Sequence, residues 1–147
     1  SKLPVIGNGD LHQPHHVAMR MKDTNCAGLM IARGCLRNPF IFLEALDFDP
    51  ENPSSPFTGK DYWEAIERYY QYCAEAYERE RTILVQARKL IVWFAAGFQS
   101  AAKFRNLMFQ SQTIDESLKI AQDYFLSLGD EGKRINYDEV FMNGGHG

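Results

Sequence analysis

The chain lacks the features that mark several large classes of protein. It has 147 residues, and none of its apolar runs approaches the roughly 20 residues that a membrane-spanning helix needs. Its first residues also lack the charged segment and apolar stretch of a signal peptide. The cysteines are only three, without the spacing of metal ligands, which favours a reducing cytoplasm. With 45% apolar and 24% charged residues, the composition is globular and sufficient for one ordinary or two small domains.

Acidic residues are missing from one segment of a chain whose overall net charge is −3. Between residues 81 and 110 every charged residue is basic: Arg81, Arg88, Lys89, Lys103 and Arg105. Charge segregated in this way can form a local positive surface that attracts an anionic partner. The alternative is that these side chains pair with acids of the preceding helix, such as Glu75 and Glu78, and composition alone favours this alternative.

Two short apolar segments near the N-terminus predict strands of a parallel sheet. The first is Leu3–Gly7, and a helix with proline in its first turn is expected to follow over about His15–Asp23. The second strand is predicted at Gly28–Gly34, after which Asn38 is a plausible N-cap and Pro39 the first residue of another helix. Two consecutive βα units imply parallel strands, and such apolar segments are typical of strands covered on both faces.

The sequence changes character at DFDPENPSSPF, residues 47 to 57, where prolines and serines predict a boundary loop. We therefore expect one domain over residues 1–48, a linker over 49–57 and a helical domain over 58–147 with a frayed C-terminal tail. Capping boxes at Thr58 and Asp61 and at Thr113 and Glu116 predict two helix starts.

Apolar residues at helical spacing predict three long helices in the second domain, which cover Tyr62–Tyr77, Ile83–Phe98 and Ile114–Leu128. We expect them to pack as an antiparallel bundle. Six side chains are predicted in its core: Ile66, Tyr70, Leu90, Phe94, Leu118 and Phe125.

Glycine-containing loops follow both predicted strands, with the sequences IGNGD and IARG. In (β/α)₈ barrels the loops after the last two strands often hold a phosphate at the carboxyl ends of the strands. Glycines let the backbone N–H groups approach such an anion, and Arg33 would add a charge-assisted hydrogen bond. The two loops together predict a phosphate site.

The same residues carry a resemblance to a known family. PVIGNGD followed by GLMIARGCLRNPFIF is similar to the closing segment of the tRNA-dihydrouridine synthases, and ARKLIVWFAAGF with FRNLMF resembles their helical domain. The resemblance implies a flavoenzyme that reduces uridine in tRNA to dihydrouridine with FMN and NADPH. The chain would then be the C-terminal part of the enzyme, with two of eight barrel strands and a helical tRNA-binding domain.

The resemblance also implies roles for individual residues. Asn8, Gly9 and Asp10 correspond to the first FMN-phosphate loop, and Ala32 and Arg33 correspond to the second. Because a carboxylate repels a phosphate, we expect Asp10 to orient the backbone or to cap the following helix.

The family's catalytic cysteine lies in the earlier part of the barrel, and Cys26, Cys35 and Cys73 do not match it. No catalytic residue is therefore predicted in this chain, and the isolated fragment is expected to be inactive. The resemblance makes tRNA the expected partner of the basic segment, through Arg88, Lys89, Lys103 and Arg105.

Several alternatives stay open at this point. The chain could belong to another FMN-dependent barrel oxidoreductase, or it could be a stand-alone, non-catalytic RNA-binding module. Self-association through exposed barrel strands is a further possibility. His12, His15 and His16 share a helical spacing, but no Cys or acid completes a tetrahedral set, so no metal site is predicted.

Overall fold

The computed structural model describes residues 3–129, 135–139 and 141–142. It is mostly helical, with a small two-stranded parallel sheet. The described residues form two compact units: one extends to Ser54 and includes Phe141 and Met142, and the other lies within Ser55–Glu139. No helix among these residues is long and apolar enough to cross a membrane. The frayed tail was expected at residues 142–147, and all of it except Met142 lies outside the described residues.

The first unit begins with one strand–helix–strand arrangement. Strand β1 is Ile6–Asn8, helix α1 is Pro14–Asp23 and strand β2 is Gly28–Met30. The strands pair in parallel, residue for residue from their first to their last positions. Parallel pairing was predicted correctly, and so was the proline in the first turn of α1. Both strands are shorter than predicted.

The apolar residues of the first unit are not buried uniformly. Leu11, Val17 and Ile41 form its buried cluster, against which Leu29 and Ile31 pack. In contrast, the side chains of Ile6 and Met30 are 62% and 50% exposed. The prediction that the strands are covered on both faces is therefore wrong for this two-stranded sheet, because its apolar cluster covers one side.

The segment after β2 contains two short helices, α2 at Arg33–Arg37 and α3 at Ile41–Leu46. Strand β2 was predicted to reach Gly34, and α2 was not predicted. Asn38 ends α2 instead of capping a helix that starts at Pro39, so that prediction is wrong. The side-chain oxygen of Asn38 accepts a hydrogen bond of 3.0 Å from the Phe40 N–H, and this turn separates the two helices.

The second unit contains four helices: α4 at Gly59–Ala76, α5 at Glu80–Phe94, α6 at Ala101–Gln110 and α7 at Ile114–Ser127. Helix α4 packs against α5 and α7, and α5, α6 and α7 contact one another. The cap predicted at Thr58 and Asp61 is confirmed in both directions. At the start of α7, the Thr113 side chain accepts from the Glu116 N–H as predicted, but the Glu116 carboxylate accepts from Gln112.

The core of the second unit was predicted in part. Ile66, Phe94 and Phe125 are buried as expected. Tyr70, Leu90 and Leu118 are half-buried. Tyr70 and Leu118 lie at the margin of a second buried cluster around Cys73.

Aromatic rings occupy the centre of this unit. The Tyr62 ring stacks on Phe125 with 5.9 Å between centroids and meets the rings of Phe98 and Phe94 edge-on at 5.1 and 6.3 Å. Such offset and edge-on pairs add to the burial of these large side chains. Tyr62, one of the apolar residues of α4, therefore packs in the core of this unit.

Candidate functional site

The two glycine-containing loops begin at the same edge of the sheet. Because β1 and β2 run parallel and in register, their carboxyl ends lie side by side. The first loop continues from Asn8 through Gly9 and Asp10, and the second reaches Ala32 and Arg33 at the start of α2. The loop residues singled out from the sequence are thus brought to one place in the first unit.

An ion pair joins the two loops. The Arg33 Nη2 donates to the Asp10 Oδ1 at 2.5 Å, across 23 residues of sequence. The same carboxylate oxygen lies 2.7 Å from the His12 Nε2. The His12 contact, followed by that of Arg33, lowers the pKa of Asp10 below its ordinary value. Asp10 is therefore an acceptor for two neighbouring side chains.

Asp10 adopts a backbone conformation that is unusual for a non-glycine residue. Its φ is +48°, in the left-handed region that Asp tolerates better than most residues. It does not cap α1, since Gln13 occupies the capping position without a side-chain hydrogen bond. The expectation of a helix cap is therefore wrong, and the carboxylate binds Arg33 instead.

A second contact holds the Arg33 side chain. Its Nη1 donates to the carbonyl oxygen of Met142 at 3.0 Å. The side chain is still 41% exposed, so it can reach a further anion. A guanidinium has five N–H groups, and these two contacts leave others for such a ligand.

Close backbone packing also joins the loops at Gly34, the second residue of α2. A Cβ atom at this position would overlap the carbonyl oxygen of Leu11 and lie 3.2 Å from the Cα of His12. In contrast, a Cβ at Gly9 would have no atom of the described residues within 4 Å. Gly34 is thus required for the approach of the two loops, whereas Gly9 leaves open space.

The cysteine nearest to the site has a structural environment. The Cys35 Sγ donates to the Ala32 carbonyl oxygen at 2.9 Å, and burial raises the pKa of this thiol. A raised pKa disfavours the reactive thiolate at neutral pH. Cys35 is therefore suited to hold the start of α2 and not to act as a nucleophile.

The histidines of the first loop and α1 show no metal-binding arrangement. His12 contacts Asp10, and the rings of His15 and His16 lie 4.1 Å apart. Within the described ranges, no group of three or more His, Cys, Asp or Glu side chains could hold a metal ion.

The basic residues of the second unit fall into two kinds. Arg88 is half-buried, and its Nη1 donates to the carbonyl of Ser111 at 2.9 Å and contacts those of Met108 and Phe109 at 3.4 Å. These carbonyls lie at the C-terminal end of α6, so Arg88 caps this helix. It does not show the predicted alternative of pairing with Glu75 or Glu78.

Lys89, Lys103 and Arg105 are exposed. The Lys89 Nζ lies 4.9 Å from the centre of the Trp93 ring, a distance typical of a cation–π contact. A shallow groove beside it is lined by Val85, Arg88, Lys89, Val92, Trp93 and Phe109. Of these three exposed cations, Lys89 therefore lies beside an apolar and aromatic surface.

A comparison with known protein families decides which family these features belong to. The family model described as dihydrouridine synthase (Dus) matches residues 1–128. The chain belongs to the dihydrouridine synthase family. The match covers both loops and all four helices of the second unit.

Curated relatives of the chain are named tRNA-dihydrouridine synthases. The probable tRNA-dihydrouridine synthase of Mycobacterium leprae (strain TN) is 30% identical over 115 residues, which are 78% of this chain and 30% of the relative. The tRNA-dihydrouridine synthase B of Xanthomonas axonopodis pv. citri (strain 306) is 27% identical over 132 residues, 86% of this chain and 38% of the relative. The chain thus spans about a third of the length of the curated relatives it matches.

Sequence reasoning missed both of the observed partners of Arg33. Asp10 was expected to orient the backbone or to cap the following helix. Its position two residues before His12 is a local signal for a hydrogen bond with His12, but not for one with Arg33. The carbonyl of Met142 is separated from Arg33 by 109 residues, and no pattern in the sequence indicates that contact.

Proposed function

We propose that the chain supplies the flavin-phosphate loops and a helical tRNA-binding unit of a tRNA-dihydrouridine synthase. In this proposal the first unit is the closing part of a (β/α)₈ barrel. The enzyme reduces uridine in tRNA to 5,6-dihydrouridine with FMN and NADPH. Family membership and the names of the relatives support the reaction. The observation that carries the site is the pairing of two loops through Asp10 and Arg33 at one edge of a parallel sheet.

The residues of this site fit the phosphate of FMN. Arg33 offers a partly exposed guanidinium with N–H groups beyond those that Asp10 and Met142 accept. No atom of residues 3–129, 135–139 or 141–142 lies within 4 Å of a Cβ placed at Gly9, which leaves room for an anion beside the loop backbone. The negative charge of Asp10 is offset by its bonds to Arg33 and His12. We therefore propose Asn8, Gly9, Asp10, Ala32 and Arg33 as the phosphate-binding set.

The residues of this chain have binding and positioning roles in the proposed reaction. Bound FMN, reduced by NADPH, would supply hydride transfer to the uracil ring. Arg33 would bind the phosphate, and the packing at Gly34 would keep the two loops together. Cys35 is not proposed as a proton donor, because its thiol donates to a backbone carbonyl and its pKa is raised.

The second unit is proposed to contact the tRNA backbone. Lys103 and Arg105 on α6 and Lys89 on α5 are exposed cations in a segment free of acidic residues. Phosphate contacts of this kind orient a folded RNA without reading its sequence. Arg88 contributes by holding the end of α6, which carries Lys103 and Arg105.

An Arg33→Ala substitution in the complete enzyme tests the phosphate site. A hydrogen bond to a charged group contributes roughly 1.5–3 kcal/mol, so FMN affinity should fall about 10- to 150-fold. Arg20→Ala is the matched control, because Arg20 is an exposed arginine of α1 in the same unit. Flavin fluorescence titration gives both affinities, and an equal affinity for Arg33→Ala and wild type would contradict the proposed site.

A further inference from the structure

A carboxylate in a phosphate-binding loop would repel the bound phosphate, and Asp10 occupies such a position. Asp10 directly follows the loop glycine, and its side chain is 66% exposed. If it faced a bound phosphate without a partner, its charge would weaken binding. The structure instead joins this carboxylate to the Arg33 guanidinium at 2.5 Å and to the His12 ring at 2.7 Å.

The Asp10 contact limits the freedom of a long and flexible side chain. Arg33 lies at the first position of α2 and is 41% exposed, so it would otherwise sample many rotamers. With Nη2 on Asp10 and Nη1 on the Met142 carbonyl, the plane of the guanidinium is fixed at two points. Binding by a preorganised group avoids the cost of ordering it when the ligand arrives.

The backbone and His12 place the carboxylate itself. The left-handed φ of +48° at Asp10 sets the direction of its side chain. His12, whose side chain is 22% exposed, holds the same oxygen that receives the Arg33 hydrogen bond. His12, Asp10 and Arg33 thus form a row of side chains in which Asp10 contacts both of the others.

We propose that Asp10 is a positioning residue for phosphate binding: it orients the Arg33 guanidinium, and His12 orients Asp10. This inference rests on the proposed function, because it concerns how the same loops bind FMN. Its consequence runs against simple electrostatics. Removal of the negative charge at Asp10 weakens binding of a dianionic phosphate instead of strengthening it.

The test compares FMN with riboflavin, which has the same ring system and lacks the phosphate. Affinities are measured in the complete enzyme for wild type, Asp10→Asn and Asp10→Gly. Asn retains an oxygen acceptor and tolerates the left-handed region, while Gly removes the side chain without backbone strain. Asp47→Asn is the charge control, because Asp47 is an exposed acid at the end of α3.

The expected result is an ordered loss of FMN affinity. Asp10→Asn should weaken FMN binding severalfold and Asp10→Gly by about 10-fold, the scale of one lost charge-assisted contact. Riboflavin affinity should not change in either variant, and Asp47→Asn should match wild type for both ligands. In an Arg33→Ala background, Asp10→Gly should cause no further loss, because a positioning residue acts only through its partner.

Two results would overturn the inference, and they are distinguishable. If Asp10→Asn binds FMN as tightly as wild type or more tightly, while Arg33→Ala binds it weakly, Asp10 is not a positioning residue and the phosphate site stands. If Arg33→Ala itself binds FMN like wild type, the proposed phosphate site is wrong and the role of Asp10 is lost with it.

Discussion

At the scale of single residues, the ion pair between Asp10 and Arg33 joins the two loops of the candidate site. Its carboxylate has two charged or polar neighbours and remains exposed, which keeps it ionised. The pKa of Asp10 lies below its ordinary value of 3.8, with the contact to His12 as the largest cause and Arg33 as a smaller one. The carboxylate is therefore ionised at neutral pH and can pair with Arg33.

We predict that His12→Ala raises the pKa of Asp10 more than Arg33→Ala does, because the His12 contact has the larger effect. Since the folded-state pKa is lowered, the stabilising contribution of this group is complete above the ordinary pKa and is lost as the pH falls through the lowered value. An NMR titration of the Asp10 carboxyl carbon measures the pKa in each variant. A larger increase in Arg33→Ala than in His12→Ala would contradict this order.

A second residue-scale prediction concerns the two glycines of the site. Gly34→Ala should destabilise the first unit by about 1–3 kcal/mol, the usual cost of overpacking, because its Cβ meets the backbone oxygen of Leu11. Gly9→Ala is the matched control and should have a much smaller effect, because its Cβ enters open space. Denaturant unfolding of the two variants provides the comparison, and equal stability would show that the loops can separate at little cost.

The positions of the two loops could be predicted from the sequence, but the contacts between their residues could not. Glycines and an arginine after two apolar segments were sufficient to place Gly9 and Arg33 in the loops. The partner of Arg33 depends on the left-handed backbone of Asp10 and on a separation of 23 residues. Local patterns carry no information on either property, and of the two roles expected for Asp10 only the helix cap is contradicted by the structure.

At the scale of helices and strands, periodicity and capping signals gave reliable predictions where the helices are long. The starts of α4 and α7 follow from Thr58 and Thr113, whose side chains accept the expected N–H groups. The short helices were harder, because α2 and α3 are separated by a turn that depends on the buried side chain of Asn38. A helix of five or six residues has too few turns to show a periodic pattern.

The end of α6 provides an element-scale prediction that separates a structural role from RNA contact. Arg88→Met should destabilise the second unit by about 1–2 kcal/mol, because Arg88 donates to carbonyls at the end of this helix. The loss is limited, because the buried Nε of Arg88 has no hydrogen-bond partner in the described part of the chain, and its removal is favourable. Thermal unfolding measures the effect.

The neighbouring Lys89→Met variant is the control for this experiment. Lys89 is exposed and contacts the Trp93 ring, so its loss should cost less than about 1 kcal/mol. If the two variants have the same stability, Arg88 does not cap α6 in solution.

At the scale of the whole molecule, the distribution of charge differs between the two units. The charge pattern distinguishes them, because the acid-free segment lies entirely in the second unit. The exposure of Ile6 and Met30 was not predictable, since an apolar strand looks the same in sequence whether or not another strand covers it. Burial at this scale depends on which other chain segments pack against the sheet.

Salt dependence tests whether the exposed cations of α6 contact tRNA. Each phosphate contact releases counterions, so the double variant Lys103→Ala and Arg105→Ala should reduce the slope of log affinity against log salt by about 1 to 2. A double variant of Lys60 and Lys119 removes the same charge from lysines that pair with acids in their own helices. Fluorescence anisotropy with labelled tRNA measures both slopes, and the same slope for the two double variants would exclude a specific role for α6.

The most direct test of the central claim is the formation of dihydrouridine by the complete enzyme in the presence of FMN and NADPH. Unmodified tRNA is incubated with wild type or Arg33→Ala over a range of FMN concentrations, and its nucleosides are analysed by mass spectrometry. Our account predicts dihydrouridine with wild type, and with Arg33→Ala only at FMN concentrations at least about 10-fold higher, in line with the lost phosphate contact. The absence of dihydrouridine with folded wild-type enzyme, or an identical FMN dependence for both proteins, would contradict it.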